Sequence, residues 1–404
     1  MKIPGFQRGD GPMLGISVGH AMTHWYPGAF TVMLPLFADD LDLTLTQVGI
    51  LIGLRSITST IVNLPGGMIV DMVGRHKLVM AMAIAWAGVP YLFLGITQNF
   101  VVIAVLLSIV GIGNLLYHPA ALSSLSDLYP TRRGFATAMH SVGQNFGDTV
   151  APAVAGVMLQ WLTWRELSVY NVIPGMIMGV IFWRMMRNVE VSNTVSSRRG
   201  PMSLAEYTSG VKALLRDGNM LKVAGIGGAR ATTQSALSTF LPIYLTANLG
   251  MSTVLVGTYL AVTQAAGLIS VPISGALSDR IGRRPVIVAG MVSTSVMLVA
   301  LMALQIEWLF IFVLALIGFF LYSMTPVLNA WALEVAPPEL GGTSIGILFA
   351  AQSLLGSIAP IVGGLIADRW GIPAAFYFIA ATVLATNLLV GTVKESRTEH
   401  QRVA

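Results

Sequence analysis

The chain has 404 residues, 55% of them hydrophobic, and its 23 Lys and Arg with 18 Asp and Glu make only 10% charged. Soluble domains carry roughly 25% charged residues, so a water-soluble fold is excluded. A mean hydropathy of +0.75 points to a polytopic membrane protein, and the net charge of +5 calls for no nucleic-acid partner. Cysteine is absent, which removes disulfides, thiolate metal ligands and thiol nucleophiles together.

Lys2, Arg8 and Asp10 precede an apolar stretch too long for a signal-peptide core, so the N-terminus is expected to stay in the mature protein. Apolar stretches between polar or Pro/Gly breaks predict helices over 13–38, 46–70, 78–97, 100–127, 134–160 and 167–186. A basic polar stretch, 187–218, interrupts the pattern. It resumes over 219–247, 253–277, 286–304, 308–333, 343–367 and 373–393. The expected fold is all-α, with twelve transmembrane helices in two six-helix halves. The halves are 1–186 and 219–404, the second ending in a short tail, and 187–218 is the linker.

With the N-terminus inside, nineteen of the 23 cationic residues fall in cytoplasmic segments, and only Arg165 and Arg369 fall outside. A shift of one span would destroy this bias, so it checks the topology independently of hydropathy. Both termini are expected in the cytoplasm and the chain in the inner (plasma) membrane.

An internal repeat ties the halves together. Gly67, Asp71, Gly74 and Arg75 recur as Gly275, Asp279, Gly282 and Arg283, each 208 residues later. The same offset carries Gly49 to Gly257, Pro130 to Pro338, Gly134 to Gly342, Gln144 to Gln352, Pro152 to Pro360 and Gly156 to Gly364. Such a repeat describes two pseudo-symmetric bundles in parallel relation.

The repeated G-x-x-x-D-x-x-G-R element resembles the signature loop of the major facilitator superfamily, whose fold and alternating-access transport are then implied. Its first Gly suits close helix approach and its second a tight turn. Its Asp suits the N–H groups of a neighbouring helix start, and its Arg is a cationic partner. Gly67, Asp71, Gly74, Arg75, Gly275, Asp279, Gly282 and Arg283 are therefore the expected gating residues. A plain positive-inside turn is the bland alternative.

Gly111-Ile-Gly113-Asn114-Leu-Leu-Tyr117-His118-Pro119, Ser141-Val142-Gly143-Gln144-Asn145-Phe146-Gly147 and Gly19-His20-Ala-Met-Thr-His24 resemble the fosmidomycin-resistance branch. That resemblance implies drug export driven by proton entry. The chain departs from the branch at two points: His24 stands where an acid is expected, and Ala120 replaces the acid after the His-Pro pair. Gly143, Gly147, Pro152 and Gly156 partly resemble the antiporters' glycine-proline element, echoed by Gly356, Pro360, Gly363 and Gly364. Both runs are expected to bend or pack closely at matching depths, unless they are ordinary small-residue contacts.

Ionisable groups at membrane depth are costly and so are functional candidates. At about 1.5 Å per residue, Arg55 lies roughly 14 Å below the outer end of its span and Arg230 roughly 16 Å above the inner end of its own. Both guanidiniums are expected to bind an anionic group on the cargo, with His24, Tyr117, Asn145 and Trp331 as further substrate contacts. The alternative is a structural network with Asp148. Asp148 is the leading proton carrier, since a carboxyl moved between dry and wet surroundings loads and unloads a proton. His20, His24, His118 and His140 are alternative carriers, each of which could instead be a satisfied structural histidine. Trp25, Tyr26, Gln234, Tyr244, Tyr322 and Asn329 could add an amphipathic surface or merely pack.

The preferred expectation is a proton-coupled antiporter exporting a small anionic organic compound or drug, acting as a monomer without cofactor, metal or catalytic residues. Its partners are the substrate, protons and the bilayer. Proton-coupled import of an anionic metabolite is the runner-up, and divalent metal export through the histidines a third reading. No compact catalytic motif supports a membrane-embedded enzyme. A nontransporting receptor would bind without flux.

Overall fold

The computed structural model describes residues 9–73, 75–187, 189, 204–303, 307–337 and 340–393, with side chains at all of these except 60, 62–73, 113–116, 134, 204–207, 307–308 and 342. These residues form fourteen α-helices and no strand. The first half contains α1 Gly11–Asp40, α2 Leu45–Val73, α3 His76–Leu94, α4 Phe100–Leu128, α5 Arg133–Met158, α6 Trp164–Tyr170 and α7 Val172–Met185. In the linker lies α8 Leu204–Leu214. The second half contains α9 Gly218–Ile243, α10 Thr253–Ile281, α11 Arg283–Ala303, α12 Glu307–Val335, α13 Gly341–Trp370 and α14 Ile372–Thr392.

Local chemistry sets several of these starts. Asn99 Oδ1 accepts the N–H groups of Val101 and Val102, Asp217 those of Asn219 and Met220, and Ser252 Oγ that of Leu255. Thr163 and Glu166 form a capping box. That box starts the sixth span at Trp164, three residues before the predicted 167. The ladder then breaks at Asn171, whose Oδ1 accepts Trp25 Nε1–H at 2.9 Å. In the seventh span Pro242 removes a ladder donor, and the chain continues as a π-helical turn over Tyr244–Asn248.

Eight helical spans, α6–α7 counted as one, are long and apolar enough to cross a membrane by length and composition among the described residues. The fold is that of a multi-pass membrane protein with twelve spanning helices in two halves. The packing repeats the pseudo-symmetry read from the sequence: α1 lies on α5 as α9 lies on α13, and α2 on α4 as α10 on α12. Between halves, α2 packs on α13 and α10 on α5.

Those two seams are built from the residues of the 208-residue repeat, paired crosswise. A Cβ on Gly49 would lie 2.1 Å from the carbonyl oxygen of Pro360, and one on its mate Gly257 would lie 2.3 Å from that of Pro152. Gly364 meets Leu45 and Gly156 meets Thr253 in the same manner, a Cβ on each lying 2.4 Å from the carbonyl oxygen. Only glycine lets two helix backbones approach this closely. The seams lie at the end away from the basic loops. One carries an added latch: Asp368 at the end of α13 accepts the N–H groups of Leu45 and Thr46 at 2.8 and 3.0 Å and the Thr46 hydroxyl at 2.5 Å. A carboxylate on a helix N-terminus complements the partial positive charge there.

The glycine-proline run of α5 therefore has two duties. Gly143 and Gly147 press on α1, where a Cβ on each would lie 2.0 and 2.3 Å from the carbonyl oxygens of Ser17 and Ala21, whereas Pro152 and Gly156 meet the other half. The echo in α13 is looser at Gly356, where a Cβ would find its nearest neighbour, Ala231, at 3.6 Å.

The second signature loop differs from expectation at two residues. A Cβ on Gly275 would meet nothing within 4 Å, so this glycine makes no close helix contact. Asp279 accepts from the Arg283 guanidinium at 2.6 Å rather than from a helix start, and the same Arg283 reaches Glu334 at 2.7 Å. The turn glycine behaves as its motif requires, Gly282 having φ +93°. In the first copy Arg75 is exposed. The side chains of Gly67 and Asp71, and Gly74 entirely, lie outside the described residues.

Candidate transport cavity

Two adjoining cavities lie between the halves. The larger, of about 390 Å³, is lined by Arg55 of α2 and Arg230 of α9, with no acidic residue in its wall among those described. The smaller, about 190 Å³, is lined by His24, Gln144 and Asp148 from one half and Gln264 and Tyr322 from the other. Pro27, Arg55, Gln234 and Ser238 border both. Arg230 is 5% exposed and donates through Nη2 to Gln234 Oε1 at 2.9 Å. Its Nε and Nη1, and Nη1 of Arg55, are buried without a hydrogen-bond partner among the described residues. Orphaned guanidinium N–H groups are costly.

On the facing wall His24 Nδ1 and Asp148 Oδ1 are 3.0 Å apart, their side chains 23% and 21% exposed. The acid missing from α1 is thus supplied by α5. Behind His24 the other three imidazoles continue into the first half. His20 is edge-on to His24 and to His118, with ring centroids 4.9 and 4.6 Å away, and stacks on His140 at 3.7 Å. His20 Nδ1 lies 2.7 Å from the His140 carbonyl oxygen. A carbonyl only accepts, so Nδ1 carries the proton, and Nε2 is buried without a partner among the described residues. The donor atoms of His20, His24 and His118 lie within 4.8 Å of one another. Tetrahedral zinc bonds of about 2.1 Å would hold donors roughly 3.4 Å apart, so an ion would have to draw the rings together, and none is assigned.

The superfamily profile named "Major Facilitator Superfamily" matches residues 16–271 and again 223–403. The chain belongs to the Major Facilitator Superfamily. Its members are transporters and not enzymes, and so is this chain. This major facilitator is 24% identical over 374 residues to the cis,cis-muconate transport protein of Acinetobacter baylyi, covering 90% of this chain and 89% of that protein. It is 21% identical to the fosmidomycin resistance protein of Escherichia coli, covering 90% and 88%. The crystal structure of a bacterial homologue of the human lysosomal transporter Spinster, inward-facing and unoccupied, superposes with a TM-score of 0.80 at 15% identity, covering 96% of each chain.

Of the expected residues, this major facilitator brings Arg55, Arg230, His24, Asp148 and Gln234 to these two adjoining cavities. Tyr117, Asn145 and Trp331 do not line it. Tyr117 is fully buried, its hydroxyl donating to the Ile16 carbonyl above Gly19, and Trp331 is 2% exposed within the core. Of the expected aromatic surface, only Tyr322 borders a cavity. Gln144 lines the wall in place of its neighbour Asn145, and its repeat mate Gln352 lines the larger cavity. The match of these two glutamines across the repeat is the sequence signal that singles them out.

Proposed function

We propose that this transporter carries a small organic anion together with protons by alternating access, the inward proton gradient driving uptake. The observation that carries the reading is the pair Arg55 and Arg230, one from each half, in one cavity without an acidic wall residue among those described. The His24–Asp148 pair supports the coupling, because its cavity shares Arg55 and Gln234 with the anion site. A proton and an anion bound in adjoining cavities attract, so each favours entry of the other, whereas exchange of the two would require that they exclude each other. A co-transported proton also offsets the roughly 2.3 kcal/mol per 100 mV that opposes entry of each negative charge into a negative interior. This reasoning puts import ahead of the export expected from sequence. The relative that transports cis,cis-muconate is in keeping with an anionic cargo.

In this reading the basic loops and both termini face the cytoplasm of the inner membrane, the chain acts as a monomer, and the glycine seams close the outer side. The test is flux in proteoliposomes under an imposed pH gradient, with a panel of organic anions and neutral drugs. Symport gives anion uptake when the outside is acid. Uptake only when the lumen is acid would establish exchange instead. Arg230→Ala and Arg55→Ala should abolish flux while folding survives, and full activity in either variant would remove that arginine from the site.

A further inference from the structure

We infer that the cargo is a compact polyhydroxylated organic acid rather than an apolar drug, an assignment that rests on the anion reading above. Ligand pockets of several hundred Å³ are ordinarily lined by apolar and aromatic side chains. The larger cavity departs from that rule. Among the described residues no aromatic ring lines it, and Ile52 is its one large aliphatic residue.

Its polar groups fall into two chemical kinds. Arg55 and Arg230 can only donate, which suits a carboxylate. Ser235, Ser238 and Ser353 both donate and accept, which suits hydroxyl groups. These three hydroxyls make no hydrogen bond among the described residues. Ser59, by contrast, already donates to backbone carbonyls of Arg55 and Gly111. The amide Nε2 of Gln352 is buried without a partner in the same wall.

The arrangement follows from helical spacing. Arg230, Gln234 and Ser238 are successive four-residue steps along α9, so one helix face presents cation, amide and hydroxyl in a row. Beside it α13, packed on α9, presents Gln352 and Ser353, and α2 of the other half presents Arg55. The volume of about 390 Å³ lies in the several-hundred-Å³ range of small-molecule sites and admits a sugar acid. An unhydroxylated acid would leave the serines and Gln352 unsatisfied. Sites built to bond a hydroxyl reject the analogue that lacks it.

The experiment is calorimetric binding to purified full-length protein with three probes. These are gluconate, hexanoate of the same chain length without hydroxyls, and glucose without the carboxylate. Gluconate should bind at least tenfold more tightly than hexanoate, and glucose should not bind. Ser238→Ala and Ser353→Ala should each weaken gluconate about fivefold, the usual effect of one neutral hydrogen bond, without changing hexanoate. Equal affinity for gluconate and hexanoate would overturn this inference and leave the anion reading intact. Binding of glucose alone would overturn both. Gluconate binding that Ser238→Ala, Ser353→Ala and Gln352→Ala all leave unchanged would also overturn it, because the hydroxyls would then be recognised elsewhere.

Discussion

Substituting Gly49 by alanine tests whether the glycine seams close the cavity. The new Cβ would start 2.1 Å from the Pro360 carbonyl oxygen. Relaxing to a van der Waals distance of about 3.5 Å moves α2 and α13 apart by roughly 1.4 Å. Overpacking of a tight contact costs about 1–3 kcal/mol, and the cost falls only on conformers in which this seam is closed. The ratio of open to closed forms should rise roughly 5- to 150-fold. Gly257→Ala should match it, since its Cβ would start 2.3 Å from the Pro152 carbonyl. The chain has no cysteine, so a single Thr31→Cys in the smaller cavity can be labelled without removing native thiols. A membrane-impermeant maleimide added from the side of the seam should react faster in both variants. Gly346→Ala is the control on α13, because its Cβ would meet nothing within 4 Å. Wild-type labelling rates in both seam variants, with folding intact, would show that something else closes the cavity.

Asp368→Asn removes the charge and one acceptor from the α2 latch; for a solvent-screened contact the loss is about 1 kcal/mol, read as roughly fivefold faster labelling in the same assay. Asp148→Asn should abolish the response of flux to a pH gradient while preserving counterflow of the anion, and unchanged proton dependence in both Asp148→Asn and His24→Ala would remove this pair from coupling. Tyr117→Phe should lower stability by about 1 kcal/mol through one lost buried hydrogen bond and leave the KM for cargo unchanged, measured by thermal unfolding and flux. A large KM change would place Tyr117 at the cargo after all.

Much of the architecture is legible in the sequence because bilayer thickness imposes a length on every spanning helix and the duplicated residues report which helices are equivalent. The 208-residue offset alone marks Gly49, Pro152, Gly156 and their mates. It does not reveal that mates from opposite halves touch, since crosswise pairing is a property of assembly. Arg55, Arg230, His24 and Asp148 are legible as a set because charge is rare at that depth. Tyr117 is misplaced by sequence for a simpler reason: depth along a helix is readable from residue count, but facing is not when a helix such as α4 is apolar on nearly all sides. Tyr117 turns toward α1 because its hydroxyl finds the Ile16 carbonyl. The Asp368 latch is hidden in the sequence because an acid at a span end looks like ordinary solvated charge, and only the arrival of α2 gives it partners.

In the proposed symport cycle, the charges of the two adjoining cavities also bear on why the cycle should not leak. With His24 neutral, Arg55, Arg230 and Asp148 sum to one positive charge. Adding a proton alone makes two, and adding a proton with a monoanion restores one. Closing the halves over the cavity expels water and strengthens every repulsion, two unit charges at 4 Å costing about 4 kcal/mol at an effective dielectric of 20. The proton-only carrier is therefore the form least able to close. The empty carrier and the fully loaded carrier, equal in charge, can close alike. Coupling of the proposed kind needs no direct contact between proton and cargo, only that both are counted in the adjoining cavities before the halves shut.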